Sequence, residues 1–261
     1  MDFDNRTALV TGAGSGIGRS AAVALARKGA TVAVVGHSAD SAQDTVDEIG
    51  RAGGTAHPYV AELSDPQAVQ QLYDEVSQRT GTLDVVVANA GINGVWAPID
   101  ELTPEEWSHT ISVNLTGTFL TLKYALPLLR SAGGGSVIVT ASVNGTRIFS
   151  NAGASAYSSS KAGQVALTKM AAVELAKDKI RVNVICPGSI ETEISDNTEQ
   201  RGTEGLRLRV EYPEGQIPLT GDVPGSPDQV ADLICFLGSD AASHITGTEV
   251  WIDGAQSLLV G

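Results

Sequence analysis

Basic residues are scarce in this chain. Against 30 Asp and Glu there are 17 Lys and Arg, and the formal net charge of −13 argues against a phosphate-backbone partner, because nucleic-acid binding relies on clustered cations. Cysteine is scarcer still. Cys186 and Cys235 fall in separate apolar segments without metal-ligand spacing, which predicts reduced, buried thiols in place of a disulfide. The four histidines, His37, His57, His109 and His244, form no H-x-x-x-H pair, so no catalytic metal is expected. No apolar run approaches the ~18 residues of a membrane span. The amino terminus, Met1 to Arg6, lacks the basic-then-apolar order of a secretory signal. These absences predict a soluble, cytoplasmic protein acting on a small molecule.

What the chain does contain is alternation. Thr7 to Thr11, Thr31 to Val35, Leu83 to Ala88, Ser136 to Thr140, Arg181 to Cys186 and Glu249 to Ile252 read as strands, separated by longer helical patterns. Val85-Val86-Val87 and Val137-Ile138-Val139 are continuously apolar, as strands covered on both faces must be. A weaker run, Thr55 to Val60, holds Pro58 and suits a sheet edge. Together these predict one α/β domain over residues 1–261, a doubly wound parallel sheet of Rossmann type with about seven strands and helices on both faces. Asp65-Pro66, Thr103-Pro104-Glu105-Glu106 and Ser226-Pro227-Asp228-Gln229 read as helix starts.

Two helical stretches carry more apolar residues than one sheet can cover. The first runs roughly from Pro104 to Leu129 with Trp107, Ile111, Leu115, Phe119, Leu122 and Leu126, and the second carries Val165, Leu167, Met170, Val173 and Leu175. The surplus predicts a homo-oligomer, a dimer or tetramer. Residues 191–225 are polar and irregular, fitting either a substrate lid over the sheet edge or a solvated surface loop.

Two motifs carry chemistry. After the first strand comes Thr11-Gly12-Ala13-Gly14-Ser15-Gly16-Ile17-Gly18, opening into a helix. Such glycines let the backbone turn sharply and approach a pyrophosphate held by helix N–H groups, so this reads as a dinucleotide cradle. The order is Thr-Gly-x-x-x-Gly-x-Gly, not G-x-G-x-x-G, and it has no P-loop lysine. The second motif is Tyr157-Ser158-Ser159-Ser160-Lys161, whose spacing puts phenol and ammonium on one helix face. A positive charge about 4 Å from the phenol is worth roughly 4 kcal/mol at an effective dielectric of ~20. That would lower the tyrosine pKa by up to ~3 units, toward general acid/base work near neutral pH. Alone the pair would arise by chance in about one such chain in nine.

Together Thr11 to Gly18 and Tyr157 to Lys161 resemble the paired signatures of the short-chain dehydrogenase/reductase family. Further segments match in family order. Ala88-Asn89-Ala90-Gly91 resembles the family's Asn-Asn-Ala-Gly, Asn114 its helix asparagine, and Ser142 its catalytic serine. Pro187-Gly188-Ser189-Ile190-Glu191-Thr192 and Gly247 to Gly254 resemble its later segments.

The resemblance implies an NAD(P)(H)-dependent oxidoreductase interconverting a ketone and a secondary alcohol. Tyr157 would be its general acid/base. Lys161 would lower the phenol pKa and bind the nicotinamide ribose, Ser142 would hold the reacting oxygen, and Asn114 would support a water-linked proton route from Lys161. Gly12, Ser15, Gly16, Ile17 and Gly18 would hold the pyrophosphate, and Asn89, Ala90 and Gly91 would line the ribose side. Pro187, Gly188, Ile190 and Thr192 would meet the nicotinamide. Asn93, Trp96, Asn144 and Phe149 lie where family substrates are met, although Trp96 and Phe149 equally suit a core.

Three departures stand out. Gly36-His37-Ser38 lacks the acidic residue of NAD-preferring members, yet Ser15 and His37 replace the basic residues of NADP-preferring ones, which tips the reading toward NADP(H) without deciding it. Glu62, followed by Leu63, replaces the adenine-binding aspartate. Ser142 and Tyr157 lie 15 positions apart, wider than usual in the family. A catalytically silent nucleotide-binding regulator or an S-adenosylmethionine methyltransferase would also use a glycine turn, but the methyltransferase leaves Tyr157 and Lys161 unexplained.

Overall fold

The computed structural model describes residues 2–192, 198–206 and 215–259. Chain order begins β1 (Thr7–Thr11), α1 (Gly16–Arg27), β2 (Thr31–Gly36), α2 (Ala39–Arg51), β3 (Thr55–Val60) and α3 (Pro66–Thr80). It continues with β4 (Val85–Ala88), a two-residue β5 (Val95–Trp96), α4 (Pro104–Ile111), a π-helical turn (Ser112–Thr116), α5 (Gly117–Ser131) and β6 (Gly135–Thr140). The remainder is α6 (Ser155–Leu175), β7 (Ile180–Pro187), β8 (Glu199–Gln200), α7 (Pro227–Gly238) and β9 (Glu249–Ile252).

Seven strands form one parallel sheet in the order β3-β2-β1-β4-β6-β7-β9. Winding reverses between β1 and β4, and the crevice beyond the strands' carboxyl ends at that point is where such sheets bind ligands. β3 is an edge strand, so Pro58, with no N–H to offer, has no second neighbour to disappoint.

Successive side chains of a strand point to opposite faces. Leu9 therefore packs with α3, α5 and α6 residues such as Leu72, Leu128 and Leu175, while Ala8 and Val10 pack with Leu25, Ile49 and Ile234 of α1, α2 and α7. Each fully buried leucine or isoleucine contributes about 1.5–3 kcal/mol. The expected helix starts are present. Asp65 accepts from Gln67 N at 2.9 Å, and Thr103 and Ser226 each make a full capping box.

The helix expected from Pro104 to Leu129 extends to Ser131 but is broken by the π turn. A π turn inserts one residue into the spiral, a distortion concentrated at functional sites. Both cysteines are buried and free. Among the described residues no helix is long and apolar enough to cross a membrane.

Candidate active site

The chain leaves β1 through a turn that side chains would block. Gly12 and Gly16 sit at φ +63° and +50°, the left-handed region that disfavours any residue with a Cβ. Gly18 is required for space, since a Cβ there would lie 2.1 Å from the Gly12 carbonyl oxygen. Ser15 precedes α1 without a side-chain cap, which leaves the first helical N–H groups, at Gly16, Ile17 and Gly18, to an anion. Bare backbone over a helix N-terminus fits the pyrophosphate of NAD(P)(H). From the far side Thr192 reaches the same turn, its Cγ2 3.2 Å from where a Gly16 Cβ would be.

Thr11 fastens the neighbouring loop. Its hydroxyl accepts from Asn89 N at 3.0 Å and Ala90 N at 3.1 Å, and donates to the Val87 carbonyl. The Asn89 amide donates to the Thr11 carbonyl at 3.2 Å, so this side chain binds back to β1 beside the glycine turn. Gly91 lies deeper. A Cβ on it would come within 3.1 Å of Asn114 Oδ1 and 3.5 Å of Lys161 Nζ.

At the far end of the crevice Gly36 is buried and His37 and Ser38 are exposed. The Glu62 carboxylate, expected to meet an adenine, accepts from Ser64 N at 3.0 Å and Ser64 Oγ at 2.7 Å. Those bonds hold its pKa below the ordinary carboxylate value. The Leu63 side chain belongs to the core.

Ser142, Tyr157 and Lys161 come together beyond β6, each less than 10% exposed. Ser142 Oγ accepts from Asn144 N at 3.1 Å, which leaves its proton to donate toward the phenol. The ammonium of Lys161 lies 5.5 Å from the Tyr157 ring centre and donates to the Thr140 carbonyl at 3.0 Å. Burial pulls Lys161 down to about 8, with Cys186 nearby opposing. Tyr157 is not depressed as its spacing from Lys161 suggested: burial pushes the phenol up, and the Ser142 hydrogen bond pulls it only part of the way back. Desolvation of a fully enclosed phenolate outweighs a lysine aimed at a carbonyl.

Asn114 sits inside the π turn, fully buried. Its Oδ1 accepts from Ile92 N at 2.8 Å, and its Nδ2 donates to the Ile92 carbonyl at 2.9 Å and to Ser160 Oγ at 3.0 Å. The sequence reading missed Ser160, which also donates to the Tyr157 carbonyl at 2.7 Å. A signal existed: Tyr157, Ser160, Lys161, Gln164 and Thr168 form a polar stripe at helical spacing, and all are buried.

After β7, Gly188 N donates to the Ile252 carbonyl at 3.0 Å, Pro187 is buried, and Ile190 bridges Gly225. The predicted lid falls partly outside the described residues, at 193–197 and 207–214. Its described centre is strapped down, with β8 pairing with β5 and Arg201 donating to both Glu106 oxygens at 2.9 Å. β5 presents Trp96, whose ring centre lies 6.5 Å from that of Tyr157. Asn93 reaches Thr198 at the start of the same segment. Phe149 is 73% exposed and so is no core residue.

Comparison with known proteins agrees with this architecture. The model of the family described as Enoyl-(Acyl carrier protein) reductase matches residues 12–255. Cyclohexanol dehydrogenase of Acinetobacter sp. (strain SE19) is 38% identical, the match covering 98% of this chain and 96% of the relative. A solved 3-ketoacyl-ACP reductase from Sinorhizobium meliloti 1021 is 52% identical with TM-score 0.94, over 97% of this chain and 99% of that one. A 7α-hydroxysteroid dehydrogenase, solved with NADH and 7-oxo glycochenodeoxycholic acid, is 29% identical with TM-score 0.84, over 97% and 94% of the two chains. With a glycine cradle at the switch point and a buried Ser142, Tyr157 and Lys161 beside it, the chain belongs to the short-chain dehydrogenase/reductase family of NAD(P)-dependent oxidoreductases.

Proposed function

We propose that the protein interconverts a ketone and a secondary alcohol, with Tyr157 as general acid/base. The observation that carries this reading is the burial of Ser142, Tyr157 and Lys161 as one group next to the cradle. Bound NAD(P)(H) supplies or accepts the hydride. Tyr157, kept protonated at neutral pH by burial, gives its phenolic proton to the carbonyl oxygen in reduction and takes it from the alcohol in oxidation. The Ser142 hydroxyl donates to the same oxygen and stabilises charge developing there. Lys161, drawn down to about 8, exchanges a proton readily near neutral pH and orients the ribose side through Gly91.

The substrate is a small molecule with an apolar skeleton, for which Trp96 forms a wall beside the phenol and Phe149 offers an exposed ring at the rim. Gly36, His37 and Ser38 place no carboxylate at the end of β2, which favours NADP(H) over NAD(H). Residues 191–225 act as a lid within a single domain. Trp107, Phe119, Met170 and Val173 are exposed on α4, α5 and α6, and this face joins the chain to copies of itself in a cytoplasmic dimer or tetramer. A panel of cyclic and open-chain ketones and alcohols, assayed by nicotinamide absorbance with both cofactors, tests the proposal. Turnover of a ketone or secondary alcohol supports it; no turnover of any member with either cofactor rejects it.

A further inference from the structure

The amino-terminal ends of the parallel strands, at the sheet edge opposite the cradle, enclose a second cavity of about 770 Å³. Arg6 leads into β1, Asp84 into β4, and Arg181 lies just inside β7, all three lining it. The turn before β7 adds Lys179, and the loop between α7 and β9 adds Asp240 and Thr246. The volume is that of a small-molecule site, and among the described residues Ile180 is its only large apolar side chain. Such a lining suits a polar ligand.

Each carboxylate nearby already has a partner. Asp84 accepts from Thr7 N at 2.8 Å, Asp240 pairs with Arg6, and Asp178, beside Lys179 in the chain, pairs with Arg130 at 2.8 Å. Neither Lys179 nor Arg181 is ion-paired among the described residues. Arg181 is half-buried, and a guanidinium withdrawn from water without a counter-ion is costly. Its Nη1 and Nη2 donate to the Ile245 and Ser239 carbonyls at 3.4 and 3.1 Å, bonds that bring it no negative charge. Burial pulls its pKa below the ordinary arginine value, with Asp240 opposing and Arg6 adding to the fall. Its remaining N–H groups belong to a flat fork matched to an oxyanion. Thr246 Oγ1 accepts from Val182 N at 3.1 Å, which leaves its own proton to donate. In a chain of net charge −13, two cations left over at one cavity call for an anion that is not part of the chain.

We propose that this cavity is a second binding site, for a small polar molecule bearing a phosphate or several carboxylates. Arg181 takes the oxyanion on its flat fork, Lys179 supplies a second positive charge, and Thr246 donates a hydrogen bond. The site lies at the other end of the strands from Tyr157 and the cradle and does not depend on the reaction assigned to them.

Calorimetric titration of the cofactor-free protein with pyrophosphate and with citrate, at matched ionic strength, tests it. At least one of the two should bind. Lys179→Gln, at an exposed position, should weaken that binding by about tenfold, and Arg181→Met by more. Gly18→Ala, which impairs the cradle, should leave it within a factor of about three. Pyrophosphate bound alone identifies a phosphoryl ligand, and citrate bound alone a polycarboxylate. Hydrogen exchange locates the site, the bound anion slowing the amides of residues 239–246 by about threefold or more. Failure of both anions to bind overturns the proposal. So does binding that Lys179→Gln leaves untouched, or protection confined to residues 12–18, which would put the anion in the cradle. Should Arg181→Met not fold, Lys179→Gln and the exchange pattern decide.

Discussion

Lys161 points its ammonium at the Thr140 carbonyl, 3.0 Å away, and not at the phenol of Tyr157 one turn earlier. Two groups that spacing places on one helix face are thus divided by burial, the lysine falling to about 8 and the tyrosine rising above its ordinary value.

The stability of the cofactor-free protein should register that lysine. Its folded pKa of about 8 lies below the ordinary lysine value of 10.5, so above pH 8 the unfolded chain holds a proton the folded one has lost, and stability rises with pH. The lysine alone contributes at most about 1.4 kcal/mol per pH unit. The buried thiols Cys186 and Cys235, raised from 9.0 to about 11, act in the opposite sense and offset part of the rise as pH approaches 9, but they are common to wild type and variant and cancel when the two are compared between pH 8 and 9. Lys161→Met should remove the rise there, as urea unfolding at each pH will show; equal slopes in both proteins would refute it.

Tyr157→Phe removes the transferable proton while leaving the ring packed. We expect kcat to fall by about 10²–10⁴ while NAD(P)(H) binding, followed by fluorescence, stays within a factor of about three. A variant with undiminished kcat would exclude the phenol from the chemistry.

The cradle discriminates between its glycines. A Cβ at Gly14 would meet the half-buried Ser41 side chain, with Oγ at 2.6 Å and Cβ at 2.8 Å, whereas one at Gly18 would meet the Gly12 backbone carbonyl at 2.1 Å. Gly18→Ala should therefore weaken cofactor binding by about tenfold or more, and Gly14→Ala much less. Titration of both variants with NADPH checks the order.

Arg201 ties the strand pair β5 and β8 to the capping box of α4 through Glu106. The guanidinium holds the Glu106 carboxyl down at about 2, so the link persists below the usual carboxylate range and is lost only as pH falls through that value. Arg201→Ala should raise the substrate KM severalfold with cofactor affinity unaltered, since it loosens the strap beside Trp96 and not the cradle. A matching loss of cofactor affinity would contradict that division.

Much of this was legible in the residues. Continuous apolar runs such as Val85 to Val87 can only be strands covered on two faces, and the glycine turn followed by a helix fixes where the cradle lies. Ser142, Tyr157 and Lys161 do meet. β5 and β8 were not legible, because two residues carry no periodicity. Glu62 folding onto Ser64 and Lys161 turning to Thr140 depend on which partner is nearer, information that side-chain spacing does not hold. The π turn at Ser112–Thr116 leaves no mark in composition either, since each of its residues suits an ordinary helix.

That turn also sets a rule for the chain's tolerance of change. A helix advances about 100° per residue, and the π turn spreads five residues over roughly the arc of four, so deleting one of them would close the spiral with α4 and α5 still aligned. Thr110, packed against Gly94, and Glu106, held by Arg201, would keep their seats, while Asn114 would lose its place opposite Ile92. An insertion in a surface loop lengthens a protein; one missing residue here would leave the helices standing and undo a single buried grip.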